Sequence, residues 1–175
     1  MFSLAYTPSY DPYHTVFRFL TLLSSAKEYR LKYRVLRTAD FFLCFPWSLK
    51  DFRAPRQIQG FAQTRNRLVR KYPKGSYDAF PSARIVFERM EIIQAAATSA
   101  LAGSGMIAES SLEDGQLTLQ SACIPEPLMS YVQSSTEQMR ELIEFLAIEL
   151  AKIDEFGDNG IYDRSGLGEH SYDVV

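Results

Sequence analysis

Tyr10-Asp11-Pro12-Tyr13-His14-Thr15-Val16-Phe17-Arg18 and Leu36-Arg37-Thr38-Ala39-Asp40-Phe41-Phe42-Leu43-Cys44-Phe45-Pro46 are the two stretches that decide how this 175-residue chain folds. Asp11 can accept hydrogen bonds from the first unbonded amides of a helix, and Pro12 then takes the first helical position, where no amide is needed. Phe45-Pro46 closes the second stretch, because proline cannot continue a helix. Between these marks the residues predict two aromatic-rich helices, from about Asp11 to Ser24 and from about Lys27 to Cys44. Val35, Leu36, Phe42 and Leu43 recur at helical spacing in the second, so one of its faces is buried. Arg18, Arg37 and Asp40 stand among Phe and Leu. Charges in such surroundings point to buried pairing or a docking face more than to a catalytic site.

Downstream, a loop containing Pro46, Pro55 and Gly60 leads to a short basic helix, predicted from about Gln59 to Lys71 and closed by Tyr72-Pro73-Lys74-Gly75. Pro81 opens a long helix through about Ala102, with Ile85, Met90, Ile92, Ile93, Ala96 and Leu101 as its expected apolar side and Gly103 and Gly105 as its end. Met106–Ser110 and Gln116–Ser121 read as short strands around Leu112-Glu113-Asp114-Gly115, since Asp-Gly favours a hairpin turn. Leu117 and Leu119 alternate with polar neighbours, so one face of this element is covered.

Pro125 and Pro127 precede a last helix, predicted over about Leu128–Phe156. Thr136, Met139, Ile143, Leu146, Leu150 and Ile153 form a narrow heptad seam in it, flanked by Glu137, Glu141, Glu144 and Glu149. The seam fits packing within the same domain or a helix–helix interface with a partner. From Gly157 onward the segment is polar and glycine-rich, which reads as a flexible tail or one ordered on a partner. The expected fold is mainly α with one small β-hairpin. Its arrangement is that of a winged-helix-like helical domain over 1–156, with the hairpin near 105–121 and a long C-terminal helix.

Apolar residues make up 46% of the chain, enough for a substantial core at this length. No run of 18 apolar residues occurs, so no membrane-spanning helix is expected. Met1–Tyr10 lacks the basic region and apolar stretch of a secretory signal, and two cysteines, Cys44 and Cys123, suit reduced thiols in the cytoplasm.

The formal net charge of -2 hides a strong polarity. Residues 18–89 carry 16 Lys and Arg against 5 acids, whereas residues 90–175 carry 3 against 15. The halves can neutralise each other within the fold, or the basic half can meet nucleic acid or an acidic protein face. Met106–Ser121 holds no Lys or Arg but does hold Glu109, Glu113 and Asp114. A wing of that charge repels phosphate and suits a protein contact instead. Any nucleic-acid contact is therefore expected from Lys50, Arg53, Arg56, Arg65, Arg67, Arg70, Lys71 and Lys74, which face a single acid, Asp51, in their segment. Phe52, Phe61 and Tyr72 lie among them as stacking or core residues.

Catalytic and cofactor motifs are absent from the sequence. His14 and His170 are its two histidines, and two cysteines 79 residues apart do not make a zinc site. Gly103-Ser104-Gly105 lacks the Lys-Ser/Thr that follows a phosphate loop. No catalytic, cofactor or metal residues are expected.

Asp11, Tyr13, His14, Phe17 and Arg18, followed by Leu36, Arg37, Asp40, Phe41, Phe42, Leu43, Phe45 and Pro46, resemble a signature of the middle-component subunits of bacterial ABC-three-component defence systems, of which Lamassu-type systems are members. The resemblance covers about the first quarter of the chain. It implies a non-catalytic accessory subunit that partners an SMC- or Rad50-like ABC ATPase and an effector, commonly a nuclease, against phage or plasmid DNA. It also marks these residues, with Pro12, as structural or docking positions. The helical seam at Met139, Ile143, Leu146, Leu150 and Ile153 is then a candidate partner interface. The alternatives are a stand-alone DNA-binding regulator of winged-helix type, using the basic segment, or a small helical adaptor.

Overall fold

In the computed structural model, which describes residues 8–76 and 80–168, the first helix, α1, runs over Pro12–Ser25. Asp11 caps it as expected: its Oδ1 accepts a hydrogen bond from the His14 amide at 3.0 Å, and Pro12 sits in the first turn. The second helix, α2, spans Tyr33–Cys44 and gives way to a 3₁₀ segment, Pro46–Asp51, at the expected stop. It starts six residues later than its predicted start at Lys27. Lys27–Tyr29 forms a tight turn with both Glu28 and Tyr29 at φ 55°, and Arg30–Lys32 is a strand, β1. Two consecutive left-handed residues cannot be part of a right-handed helix.

Helix α3 covers Phe61–Lys71, and α4 covers Ala83–Gly103. A single helical turn, α5, spans Ser111–Asp114 and ends at Gly115, whose φ of 64° suits glycine. Strand β2 is Gln116–Thr118, and its partner is β1, antiparallel, with Leu31 opposite Leu117. The fold is thus mainly helical with one two-stranded antiparallel element, and β2 with its inward Leu117 and Leu119 lies where expected. The other strand comes from ahead of α2. Residues 106–110 supply only an isolated bridge, Ile107 to Leu119, and Asp114-Gly115 closes a helical turn rather than a hairpin. Leu31 sets a buried apolar side chain directly across from Leu117, whereas residues 106–110 bury Ile107 alone.

Helix α6 is Glu126–Gln138, and α7 is Arg140–Glu144, continuing through a π turn at Phe145–Glu149 and a 3₁₀ turn at Leu150–Lys152. The single long C-terminal helix is therefore broken at Met139, which has φ −125° and ψ 28°. The π turn widens the ladder by one residue and lets Phe145, Leu146 and Ala147 all turn inward. Ile143, Leu146, Leu150 and Ile153 are buried in the chain's own core and Met139 packs against it, so the heptad seam is an internal contact rather than an exposed partner face.

The segment after Gly157 also differs from expectation. Helix α8, Ile161–Ser165, packs on α2, with Ile161 and Leu167 buried and the Ile161 amide bonded to the Asp154 carbonyl at 2.8 Å. Two isolated apolar residues are enough to anchor it because each joins the existing core. Residues 157–168 thus belong to the folded body, while His170 and Val174 lie outside the described residues. One hydrophobic cluster joins α1, α2, α3, α4, the β pair, α7 and α8. Among the described residues, no helix is long and apolar enough to cross a membrane.

Candidate functional site

The charges singled out in the two motif stretches meet inside this core. Arg18 on α1 and Asp40 on α2 form a two-pronged pair: Nε lies 2.5 Å from Oδ1 and Nη2 lies 3.3 Å from Oδ2. The Asp40 side chain is fully buried and that of Arg18 nearly so. Arg18 also donates from Nη1 to the Pro8 carbonyl at 3.0 Å and from Nη2 to Thr15 Oγ1 at 2.9 Å. Such bidentate geometry offsets much of what it costs a guanidinium to leave water. Burial pulls the Arg18 pKa down, but the charge and hydrogen bonds of Asp40 outweigh it, so the group is held above its ordinary value.

Gln94 on α4, also fully buried, extends the pair into a relay. Its amide donates to Asp40 Oδ2 at 2.9 Å and to the Arg37 carbonyl at 3.2 Å, and its oxygen accepts from Arg37 Nε at 2.7 Å. Arg37 then donates from Nη1 to the Tyr162 hydroxyl at 3.0 Å on α8 and lies over the Phe87 ring at 4.5 Å. Arg34 covers the other aromatic residues of that corner, 4.3 Å from Phe156 and 4.7 Å from Tyr162. Burial raises the Tyr162 pKa, against the pull of Arg37 and Arg34. One chain of hydrogen bonds, Arg18–Asp40–Gln94–Arg37–Tyr162, therefore fastens α1, α2, α4 and α8 together.

The remaining motif residues divide by exposure. Leu36, Phe41, Phe42 and Pro46 are buried, and Phe45 is half-buried. Phe41 touches Phe42, Phe45, Phe80 and Phe87, forming an aromatic wall beside the relay. Pro12, Tyr13 and His14 reach the surface, and Phe17 stacks against Tyr131 with ring centres 5.1 Å apart. Gln94 and Tyr162 lie outside the set of site residues expected from sequence. Gln94 carries a signal: it is a polar amide, with Thr98 one turn on, on the stripe that buries Met90, Ala97 and Leu101. Tyr162 carries none, since it sits in a glycine-rich segment with no periodicity.

The basic segment does not form one continuous patch. Arg67 pairs with Glu141 at 2.5 Å, Lys71 reaches the same carboxylate at 3.4 Å, and Arg53 pairs with Asp163. The hydrogen bond from Arg67 holds the Glu141 carboxyl below its usual range. Arg65 donates to the Phe52 carbonyl at 2.5 Å. Lys50, Arg56, Arg70 and Lys74 are exposed and have no acidic partner among the described residues.

Chemically, the relay spends its donors and acceptors on one another, and among the described residues no group of three His, Cys, Asp or Glu is placed to hold a metal ion. Cys44, one turn beyond Asp40, has its thiol pushed up to about 12 by burial first and by the Asp40 charge second. The raised pKa means the fold favours the neutral thiol. That contribution is complete below pH 9 and is lost as pH rises towards 12. At pH 8 an alkylating reagent is expected to label exposed Cys123 quickly and half-buried Cys44, whose thiol is held in its neutral form, much more slowly. Equal labelling rates for the two thiols in the native protein would contradict this placement.

Helices cross-linked by a buried charge relay define a protein whose polar core serves cohesion. The chain belongs to the ABC-three component (ABC-3C) system Middle Component 5 family, whose model matches residues 4–173. The match reaches far beyond the N-terminal motifs and takes in α8 and Tyr162. No curated protein and no solved structure matches the chain.

Proposed function

We propose that this chain is the non-catalytic middle subunit of a bacterial defence complex of Lamassu type, bridging an SMC- or Rad50-like ABC ATPase and an effector, commonly a nuclease, against phage or plasmid DNA. The observation that carries the reading is the family match over nearly the whole chain. The internal use of the Arg18, Asp40 and Arg37 charges supports an adaptor role, because it leaves them no part in acid–base chemistry. Surface residues Pro12, Tyr13 and His14 then serve docking. The test is co-expression of the chain with the ATPase and effector encoded beside it, followed by affinity capture on the ATPase. Capture of this chain in fixed stoichiometry supports the reading, and its absence from the captured material overturns it.

Nucleic acid enters this reading through Lys50, Arg56, Arg70 and Lys74 in the assembled complex. Changing these four to Glu is expected to weaken DNA binding by the complex without dissolving the assembly. The salt dependence should flatten by roughly 0.9 in log–log slope for each phosphate no longer neutralised. Arg53, Arg65, Arg67 and Lys71 are left intact in that variant because they already have partners within the chain. An unchanged affinity and salt slope, measured by fluorescence anisotropy, would remove DNA binding from the role of this chain.

A further inference from the structure

Helix α4 buries a different face from the one its hydrophobic pattern suggests. Val86, Phe87, Gln94, Ala97 and Thr98 turn inward with Met90 and Leu101, because the relay draws Gln94 into the core. Ile85, Ile92 and Ala96 are left on the surface, with Ile92 78% exposed. Beside them opens a pocket of about 230 Å³ lined by Tyr33, Ala95, Thr98, Ser99, Leu112 and Leu117, among others. Leu112 stands on its far rim, 54% exposed. The rim is held in place: the Tyr33 amide donates to the Gly115 carbonyl at 2.8 Å, and the Thr118 amide donates to buried Ser111 Oγ at 3.1 Å. An apolar strip with a preformed pocket between two exposed apolar residues is the anatomy of a hot spot.

The charge around the strip selects its occupant. At the pocket end of the strip the exposed charges of α4 and the turn that follows are Glu91, Glu109, Glu113 and Asp114, while exposed Arg89 lies at the other end, between Ile85 and Ile92, and Arg37 Nη1 lies 4.0 Å from Glu91. A second copy of the same face would set these carboxylates against their own kind, and a phosphate backbone would be repelled. We infer that this face of α4 with Leu112 is a docking groove for an amphipathic helix of a partner protein, one that inserts a large apolar side chain into the pocket and places Lys or Arg beside Glu91, Glu113 and Asp114. This rests on the accessory-subunit reading and names the surface by which it is met.

The experiment uses the full chain co-expressed with the neighbouring ATPase and effector. A photo-crosslinking residue replaces Ala96, and two double variants are made on the surface: Ile92→Gln with Leu112→Gln, and Glu113→Lys with Asp114→Lys. All of these positions are exposed, so melting temperatures should stay within about 2 °C of wild type. Each pair is expected to weaken capture by the ATPase or effector at least tenfold, and the crosslinked peptide of that partner should be helical with Lys or Arg flanking an apolar residue. If the complex forms and both pairs change capture less than twofold, the groove is not the docking surface, although the accessory role stands. A crosslink to a second copy of this chain, or to an acidic segment, overturns the inference as well. If the wild-type chain forms no complex at all, the accessory-subunit reading falls, and this inference falls with it.

Discussion

Asp40→Ala is expected to destabilise the protein by about 3–5 kcal/mol, because it leaves the Arg18 guanidinium buried without its counter-charge. The effect reaches further than one pair. Asp40 also accepts from Gln94, so removing it leaves that amide with only the Arg37 carbonyl and loosens the hold of α4 on α2. In a domain of this size each kcal/mol moves the melting temperature by roughly 2–4 °C, so a fall of about 10 °C is expected. Asp40→Asn keeps the shape but not the charge, and it should fall between wild type and Asp40→Ala. A melting temperature for Asp40→Ala indistinguishable from that of wild type would show that the relay does not bear on stability. Removing both charged partners, as in Arg18→Met with Asp40→Leu, should recover part of the stability, since no isolated charge then remains in the core.

Leu146→Glu combined with Leu150→Glu is expected to prevent folding altogether. Both side chains are fully buried, in the π turn and just after it, where this segment packs on α1 and α2. Truncating either one to alanine should cost about 2–5 kcal/mol by the usual scale for buried leucine. Two carboxylates in the same place add a desolvation penalty of several kcal/mol each, which exceeds the whole stability of an ordinary domain. Circular dichroism of the purified double variant should show no cooperative transition. A folded double variant that fails only to assemble would return the seam to the surface as a partner interface.

The beginning of α1 and the end of α2 are legible in the sequence because capping and proline chemistry are local: Asp11-Pro12 and Phe45-Pro46 act within one turn. The charge relay is half legible. Arg18, Arg37 and Asp40 are out of place among phenylalanines, but their connection through Gln94 depends on which face α4 presents, and Ile85 and Ile92 make the wrong face look apolar. The β pairing escapes a sequence reading for a similar reason. Asp114-Gly115 is a sound local turn signal, yet Leu31 lies more than 80 residues from Leu117 and no local pattern announces that pairing. Likewise the heptad repeat from Met139 to Ile153 marks a buried stripe, but periodicity is blind to whether the covering partner is the chain itself. The charge halves meet in part, through Glu141 and Asp163, as charges of both signs commonly do within one fold.

The central claim, that the chain works as a stoichiometric accessory subunit, is tested most directly by the mass of the assembly. The chain, the ATPase and the effector would be co-expressed from their own gene order and purified through a tag on the ATPase. Native mass spectrometry would then give the composition of the purified species. A single species containing all three components in integer ratio is expected, and mutating the α4 groove should lower the share of that three-component species. Recovery of the ATPase and effector together without this chain, or of this chain only as a free monomer, would contradict the claim.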